Sequence, residues 1–522
     1  MSQRIERAVL GIDLGTQSTK AAVVTVNGRQ LAQASVPVSA RRPSPGWMEH
    51  DAALLEQTAL AAGAQAVSNL TSPAEVAAIG VAGQMGGAIG VDEHLRPVTP
   101  YESWMDTRAD QVRGEVLAAA GKAIVNAGGI VPLAGARVRR WIAEQPALLD
   151  VMRAVLAPTG YLVGRLTGAT GADASCDRTQ ANVFGCYRAA DRSWDPSLAA
   201  AVGIPAALLP RLVDPAEVVG GLTPQAANAL GLPVGLPVVG GLGDGTAGWL
   251  AGGGVAPGRC VETGGTSANL AITVDAFTPD PARVLTCMPA ADPRLWYLLG
   301  FTTGTGLTHR WVTEVLADGD YATLERAAAA EPPGARGVRC VPHIHGRVTP
   351  VQPQVRGAFL GFDEQTTRAQ LYRAVIESLT YELAGWLTHA RRLSPESALT
   401  TLASIGGGAN SRLWAQIKAD VTGAPVLRMK PVVNAARGAA LVAAAGLRHT
   451  TLDAADWHTD QVIAQTHEPD PEAHHRYAPL AAAYPRLVEA LAPAYAELAS
   501  ADDTNLGNTR DPAQLPEAPH DA

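Results

Sequence analysis

Apolar positions along the chain fall into short unbroken runs, separated by glycine-rich turns and by longer alanine-rich stretches. Ala8–Leu14 (AVLGIDL) is the first run. Ala21–Val26 follows, then Asn27-Gly28, the strongest short hairpin signal, and Gln30–Val38 resumes the strand pattern. This predicts three consecutive antiparallel strands, the first two joined by the polar turn GTQSTK. Further strand-like runs at Val76–Ala82, Val238–Leu242 and Leu399–Ile405 alternate with helical stretches. The helices are expected at Asp51–Ser68, Pro146–Leu156, Thr366–Leu393, Ser411–Thr422 and Ala435–Ala445. Such alternation indicates an α/β architecture. Near residue 256 the opening theme returns as Arg259–Thr263, GGTSAN and Leu270–Val274. Two strand–turn–strand units half a chain apart predict two related domains, 1–255 and 256–500, with a boundary near Ala256-Pro257. Glu468–Leu498 predicts a terminal amphipathic helix, and the polar stretch 501–522 a disordered tail.

Composition narrows this picture. A chain of 522 residues is too long for one hydrophobic core, which agrees with two domains. The net charge of −8 argues against nucleic acid and acidic membranes as partners, since neither surface attracts it. It leaves anionic small molecules open, because backbone donors bind phosphate whatever the net charge. The apolar stretch 232–255 is broken by Pro237, Asp244 and many glycines, so no membrane helix is expected. Five scattered cysteines without a C-x-x-C pair read as thiols in a reducing compartment, so a cytoplasmic protein is expected. His343 and His345 are expected to be packed, not metal-ligating. Arg139-Arg140, Arg391-Arg392 and His474-His475 read as solvated surface.

Four segments carry chemistry. GIDLGTQSTK (11–20) places Asp13 at a strand end before a turn whose glycine admits an anion to bare backbone donors. Asp13 there suits a hydrated Mg²⁺ beside phosphates, and Lys20 offsets developing charge. GGLGDGTAGWLAGGG (240–254) sets Asp244 at a strand-to-helix junction among residues with almost no side chain. The residue reads equally as a general base open to a substrate hydroxyl and as a helix cap. ETGGTSANL (262–270) repeats the phosphate-turn chemistry. SIGGGANSRLW (404–414) is a strand-to-helix bend that suits a flat base against backbone.

In their order along the chain these segments, with GVAGQM (80–85), SWMDTR (103–108) and TP-x-x-P-x-x-RG (349–357), resemble the FGGY carbohydrate kinases, most of all their xylulokinase-like branch, over residues 8–495. The resemblance implies an actin/hexokinase-type fold of two ribonuclease-H-like domains that close over ATP and a small sugar or polyol. It implies Asp244 as catalytic base and Asp13 as the Mg²⁺-associated carboxylate. Gly15, Thr16, Gln17, Ser18 and Lys20 match the first phosphate turn; Gly265, Thr266 and Ser267 match the second. Gly306 and Arg310 in TTGTGLTHRW, with Gly407, Gly408 and Asn410, match the nucleotide side. Gln84, Met85, Gly86, Trp104, Asp106 and Arg108 match the region lining the sugar. The family also leaves a homodimer open.

The chain departs from that pattern where the sugar is chosen. Gly86 replaces a usual histidine, Met105 a usual asparagine, Asn434 a common glutamate and Arg437 a common leucine. The segment before Arg347 also lacks its usual glutamate. A different hydroxyl pattern or pocket shape is expected, with xylulose as one candidate substrate. A non-catalytic sugar or nucleotide sensor on the same fold is the alternative, weakened by the presence of both Asp13 and Asp244.

Overall fold

Each half of the chain is organised around a central strand that runs into a glycine turn. The computed structural model describes residues 5–264, 268–302, 305–317, 319–344, 346–347, 349–395, 398–458 and 462–505. In the first half these include β1 (Glu6–Leu14), β2 (Ser18–Thr25), β3 (Gln30–Pro37), α1 (Ala52–Ser68), β4 (Ala74–Gly83) and α2 (Leu133–Glu144). They continue with β5 (Val218–Gly221), β6 (Pro237–Val239), β7 (Leu242–Gly243) and α3 (Asp244–Ala251). The strands form one sheet in the order β5-β6-β4-β1-β2-β3, with β7 also paired to β4. β1 runs antiparallel to β2 and parallel to β4. From Ala8 onward β1 is wholly buried, which is why its sequence is an apolar run and not an alternation.

The second half repeats the plan. It contains β8 (Arg259–Gly264), β9 (Ala268–Val274), β10 (Thr286–Pro289), β11 (Trp296–Thr302), α4 (Thr305–Ala317) and α5 (Arg368–Leu393). β12 (Thr401–Gly406), α6 (Arg412–Thr422), β13 (Val426–Met429), α7 (Ala435–Gly446), β14 (Ile463–His467) and α8 (Pro471–Asn505) complete it. The sheet order is β10-β11-β9-β8-β12-β13-β14. β8 is antiparallel to β9 and parallel to β12, as β1 is to β2 and β4. The repeated sequence theme is therefore a repeated set of strand pairings.

Helix α7 joins the halves by lying against the first sheet. A Cβ on Gly11 of β1 would lie 1.9 Å from the Ala436 carbonyl oxygen, and one on Gly80 of β4 2.0 Å from that of Ala439. On α7 itself, a Cβ on Gly438 would lie 2.0 Å from the Ala247 oxygen of α3. Backbone meets backbone here, and only glycine opposite alanine permits it. Arg437 fastens one end. Its Nη1 donates to the Gly28 carbonyl (2.7 Å) and its Nη2 to the Trp457 carbonyl (2.9 Å), while the Trp457 indole donates to Val26 (3.0 Å).

Several expectations need correction. Pro146–Leu156 is not one helix but a short turn of helix, Leu148–Val151, followed by a strand, Ala154–Leu156, paired with Ile89–Val91. An apolar run of that length reads either way, and burial against a partner strand decides it. α8 continues to Asn505, so the first residues of the expected tail are helical, carried along by propagation from the packed helix; 506–522 lie outside the described residues. Arg140 is buried, paired with Glu102 and with Glu144 at 2.6 Å. His343 has a carboxylate partner, Glu382 at 3.0 Å, which also holds Arg347 at 2.9 Å; His345 lies outside the described residues. His474 is tied by Nδ1 to the Asp420 carbonyl at 2.8 Å.

Candidate active site

Three strand ends of the first sheet stand side by side. In register Leu14 pairs with Gly83, and Gly83 with Gly243, so Asp13, Gln84 and Asp244 emerge from neighbouring strands at one edge. Asp13 is 9% exposed and its Oδ1 has no hydrogen-bond partner. Burial, and then the charge of Asp244, push its carboxyl up to about 7, while Lys20, its register partner on β2, opposes them. Asp244 is the first residue of α3; Gly243, not Asp244, is the cap. The Asp244 carboxylate accepts the Gly245 N–H at 2.7 Å, yet burial outweighs this and raises it to about 6. Small residues are needed around it, since a Cβ on Gly243 would lie 2.5 Å from the Met85 sulfur.

Gln84 links the phosphate turn to the sugar-side residues. Its Nε2 donates to the Gly15 carbonyl (3.2 Å), and its Oε1 accepts from Thr16 Oγ1 (3.2 Å) and the Tyr101 hydroxyl (3.4 Å). The exposed Trp104 ring reaches the same hydroxyl, Nε1 to Thr16 Oγ1 at 3.5 Å. Within the turn a Cβ on Gly15 would meet the Ser18 carbonyl oxygen at 2.7 Å, so the loop closes only with glycine. Gln17 holds it to the next strand by accepting the Val38 N–H (2.9 Å), and Lys20 is exposed.

The residues expected on the sugar side divide into locked and free groups. Asp106 is buried, its oxygens taken by the Met48 N–H (2.7 Å) and by Arg108. Arg108 pairs with Glu49 and Asp106 (2.8 Å each) and Glu102 (3.3 Å), and its guanidinium lies 4.0 Å over the Trp47 ring. Trp104 and Met105 are 41% and 43% exposed beside them. Gly86 has φ +77°, and a Cβ there would sit 3.2 Å from Leu133 Cδ1 and 3.5 Å from Trp104 Cβ. Sequence reasoning missed Tyr101, Glu49, Glu102 and Trp47. Each sits outside a glycine turn, so no local signal marks it.

On the nucleotide side Gly264 and Gly406 are register partners at the edge of the second sheet. Gly406, with φ +84° and ψ −168°, takes a conformation open essentially to glycine alone and starts a single turn over Gly407–Asn410. Ser411 then caps α6, accepting the Trp414 N–H at 3.0 Å. Arg428 holds the turn through the Ala409 (2.7 Å) and Asn410 (3.3 Å) carbonyls. Gly306 lies in the first turn of α4; Arg310 is exposed, 3.8 Å from Glu314. His309 of α4 stacks on Trp414 of α6 with ring centres 5.4 Å apart, which sets α4 beside the turn. Gly265, Thr266 and Ser267 lie outside the described residues. On β8 Glu262 is buried with Lys418 and Ser404, a pairing the motifs did not suggest.

Among the described residues no cluster of three or more His, Cys, Asp or Glu is placed to hold a metal ion. The donor set that does exist, Asp13 with an unpartnered oxygen beside Asp244, fits an ion that keeps most of its waters and takes one or two carboxylates. Likewise, no described helix is long and apolar enough to cross a membrane.

Known proteins resemble this chain in sequence and fold. The N-terminal domain of the FGGY family of carbohydrate kinases matches residues 8–251, and its C-terminal domain matches 261–447. The xylulose kinase of Escherichia coli is 29% identical over 492 residues, covering 93% of this chain and 99% of its own. That of Streptomyces rubiginosus is 32% identical over 449 residues, covering 84% and 87%. The crystal structure of xylulose kinase from Rhodospirillum rubrum superposes with a TM-score of 0.85 at 27% identity, over 94% of this chain and 100% of that one. Two domain matches that together span most of the sequence, on a fold with both glycine turns at the sheet edges, decide the matter: the chain belongs to the FGGY family of carbohydrate kinases.

Proposed function

We propose that the protein transfers the γ-phosphoryl group of MgATP to a hydroxyl of a small ketose or polyol, with Asp244 as the base. The observation that carries this is the pair of neighbouring carboxylates, Asp13 and Asp244, on strand ends beside a glycine turn. A carboxylate raised to about 6 is still largely ionised at neutral pH, and it holds a proton better than an ordinary one. Asp244 takes the hydroxyl proton as the oxygen attacks. The backbone donors of the turn at Gly15–Ser18 carry the phosphate charge, and the turn at Gly407–Asn410 receives the base. Mg²⁺ held at Asp13 supplies neutralisation of the phosphate oxygens. A binding-only sensor has no use for Asp244, so the kinase reading is preferred.

A ketopentose such as xylulose is the substrate class that the relatives' names support. Gly86 and Met105 offer no polar side chain, so this pocket suits a sugar with fewer hydroxyl contacts at that end. Five unpaired buried cysteines fit a cytoplasmic enzyme. A coupled ADP-release assay over pentuloses, hexuloses, polyols and aldoses tests the proposal. Sugar-stimulated turnover is expected with at least one ketose or polyol; none with any of them would sink it.

A further inference from the structure

Behind the sugar-side wall lies a cation that no motif marks. Arg137, on α2, is 1% exposed. Its Nη1 donates to the carbonyls of Gly86 (3.0 Å) and Leu133 (2.7 Å). Its Nη2 donates to those of Ser103 (2.7 Å) and Asp106 (2.9 Å). One planar group thus ties the segment after β4 to Ser103–Asp106, and both to the first turn of α2.

Its neighbours behave differently. Arg108 and Arg140 are each paired with carboxylates, whereas among the described residues Arg137 makes no ion pair. Burial lowers its proton affinity, and the Glu102 and Asp106 carboxylates only partly offset this through their charges. A buried charge without a counter-ion is costly, so a structural role alone would be served better by a neutral side chain. What a guanidinium adds is a rigid fork of donors that holds several carbonyls at fixed angles. Those carbonyls belong to Gly86, whose backbone is left-handed, and to the residues on either side of Trp104 and Met105.

We propose that Arg137 is a positioning residue that sets the width of the sugar pocket and so determines which sugars are accepted. This rests on the reading of Gly86 and Trp104–Arg108 as sugar-facing. It places the specificity determinant behind the pocket, in contact with backbone and not with substrate.

The test uses the full chain with Arg137→Met and Arg137→Lys, assayed with the best sugar and the next-best sugar of the panel. The KM for sugar should rise about tenfold or more in Arg137→Met while the KM for ATP stays within about twofold. The kcat/KM ratio between the two sugars should fall by a similar factor. Arg137→Lys, which keeps charge but not the fork, should recover only part of both. If Arg137→Met fails to fold, Gly86→Ala applies the same disturbance from the other side, by pressing on Leu133, and should give the same split. A folded variant with unchanged sugar KM and preference overturns the proposal, as does an equal rise in both KM values. An unmutated chain that turns over none of the sugars in the panel would instead defeat the kinase reading, so the two failures are distinguishable.

Discussion

Asp244 raises the proton affinity of Asp13, and Lys20, the cross-strand partner of Asp13, lowers it. Burial holds both carboxyls above the ordinary carboxylate range, Asp13 at about 7 and Asp244 at about 6.

Asp244→Asn should reduce phosphoryl transfer by about 10²- to 10⁴-fold, the usual worth of a positioned base. ATP affinity, measured by calorimetry, should change little, because the turns proposed to hold ATP, Gly15–Ser18 and Gly407–Asn410, do not include Asp244. Near-normal turnover in this variant would remove Asp244 from the role of base.

The same pair makes turnover and stability respond to pH in opposite directions. Both carboxyls bind protons more tightly folded than unfolded, so their contribution to stability is full below pH about 4 and is lost as pH rises through about 6 to 7. Turnover should rise over that interval as Asp244 ionises. Relative to Asp13→Asn, the ligand-free enzyme should lose melting temperature between pH 5 and pH 8, and added Mg²⁺ should restore it at the upper end. A difference in Tm that is flat with pH and indifferent to Mg²⁺ would contradict this.

Arg437→Leu restores the residue common in the family but leaves the Gly28 and Trp457 carbonyls without donors. It should cost about 1–3 kcal/mol in a denaturant titration. Relief of the buried charge works against this loss, since burial already lowers Arg437 to about 10. An increase in stability would show that the charge term dominates.

Gly86→His likewise restores a family residue, in a place built for its absence. The left-handed φ of +77° and the nearby Leu133 both resist a side chain there. Sugar KM should rise, and Gly86→His with Leu133→Ala should recover part of it. Improved xylulose kinetics in the single variant would count against a pocket shaped around glycine.

How much of this was legible in advance follows from range. The strand–turn–strand repeat, Asp13, Asp244 and the glycine turns are written in consecutive residues; the structure sets Asp13 and Asp244 at the edge of the first sheet and the Gly407–Asn410 turn at the edge of the second. Arg137 and Arg140 were not legible: Arg139-Arg140 reads as solvated surface, and apart from Leu133 and Glu144 on the same helix their partners lie 31 to 51 residues away. Asp106 and Arg108 were found by motif, but the pairing of Arg108 with Glu49 and Glu102 depends on two short strands, Glu49–His50 and Tyr101–Glu102, with no pattern of their own. The helix expected at Pro146–Leu156 failed because an isolated apolar run does not reveal whether a partner strand awaits it.

The seam along α7 bears on how this sequence can change. Where carbonyl oxygens of Ala436 and Ala439 press on the α-carbons of Gly11 and Gly80, a single added methyl has nowhere to go. In most cores the bulky aromatic positions are the least replaceable; here the smallest residues should be. A saturation mutagenesis survey would then find its most depleted columns at Gly11, Gly80 and Gly438. The alanine-heavy, aromatic-poor composition would be a record of two layers held at backbone distance.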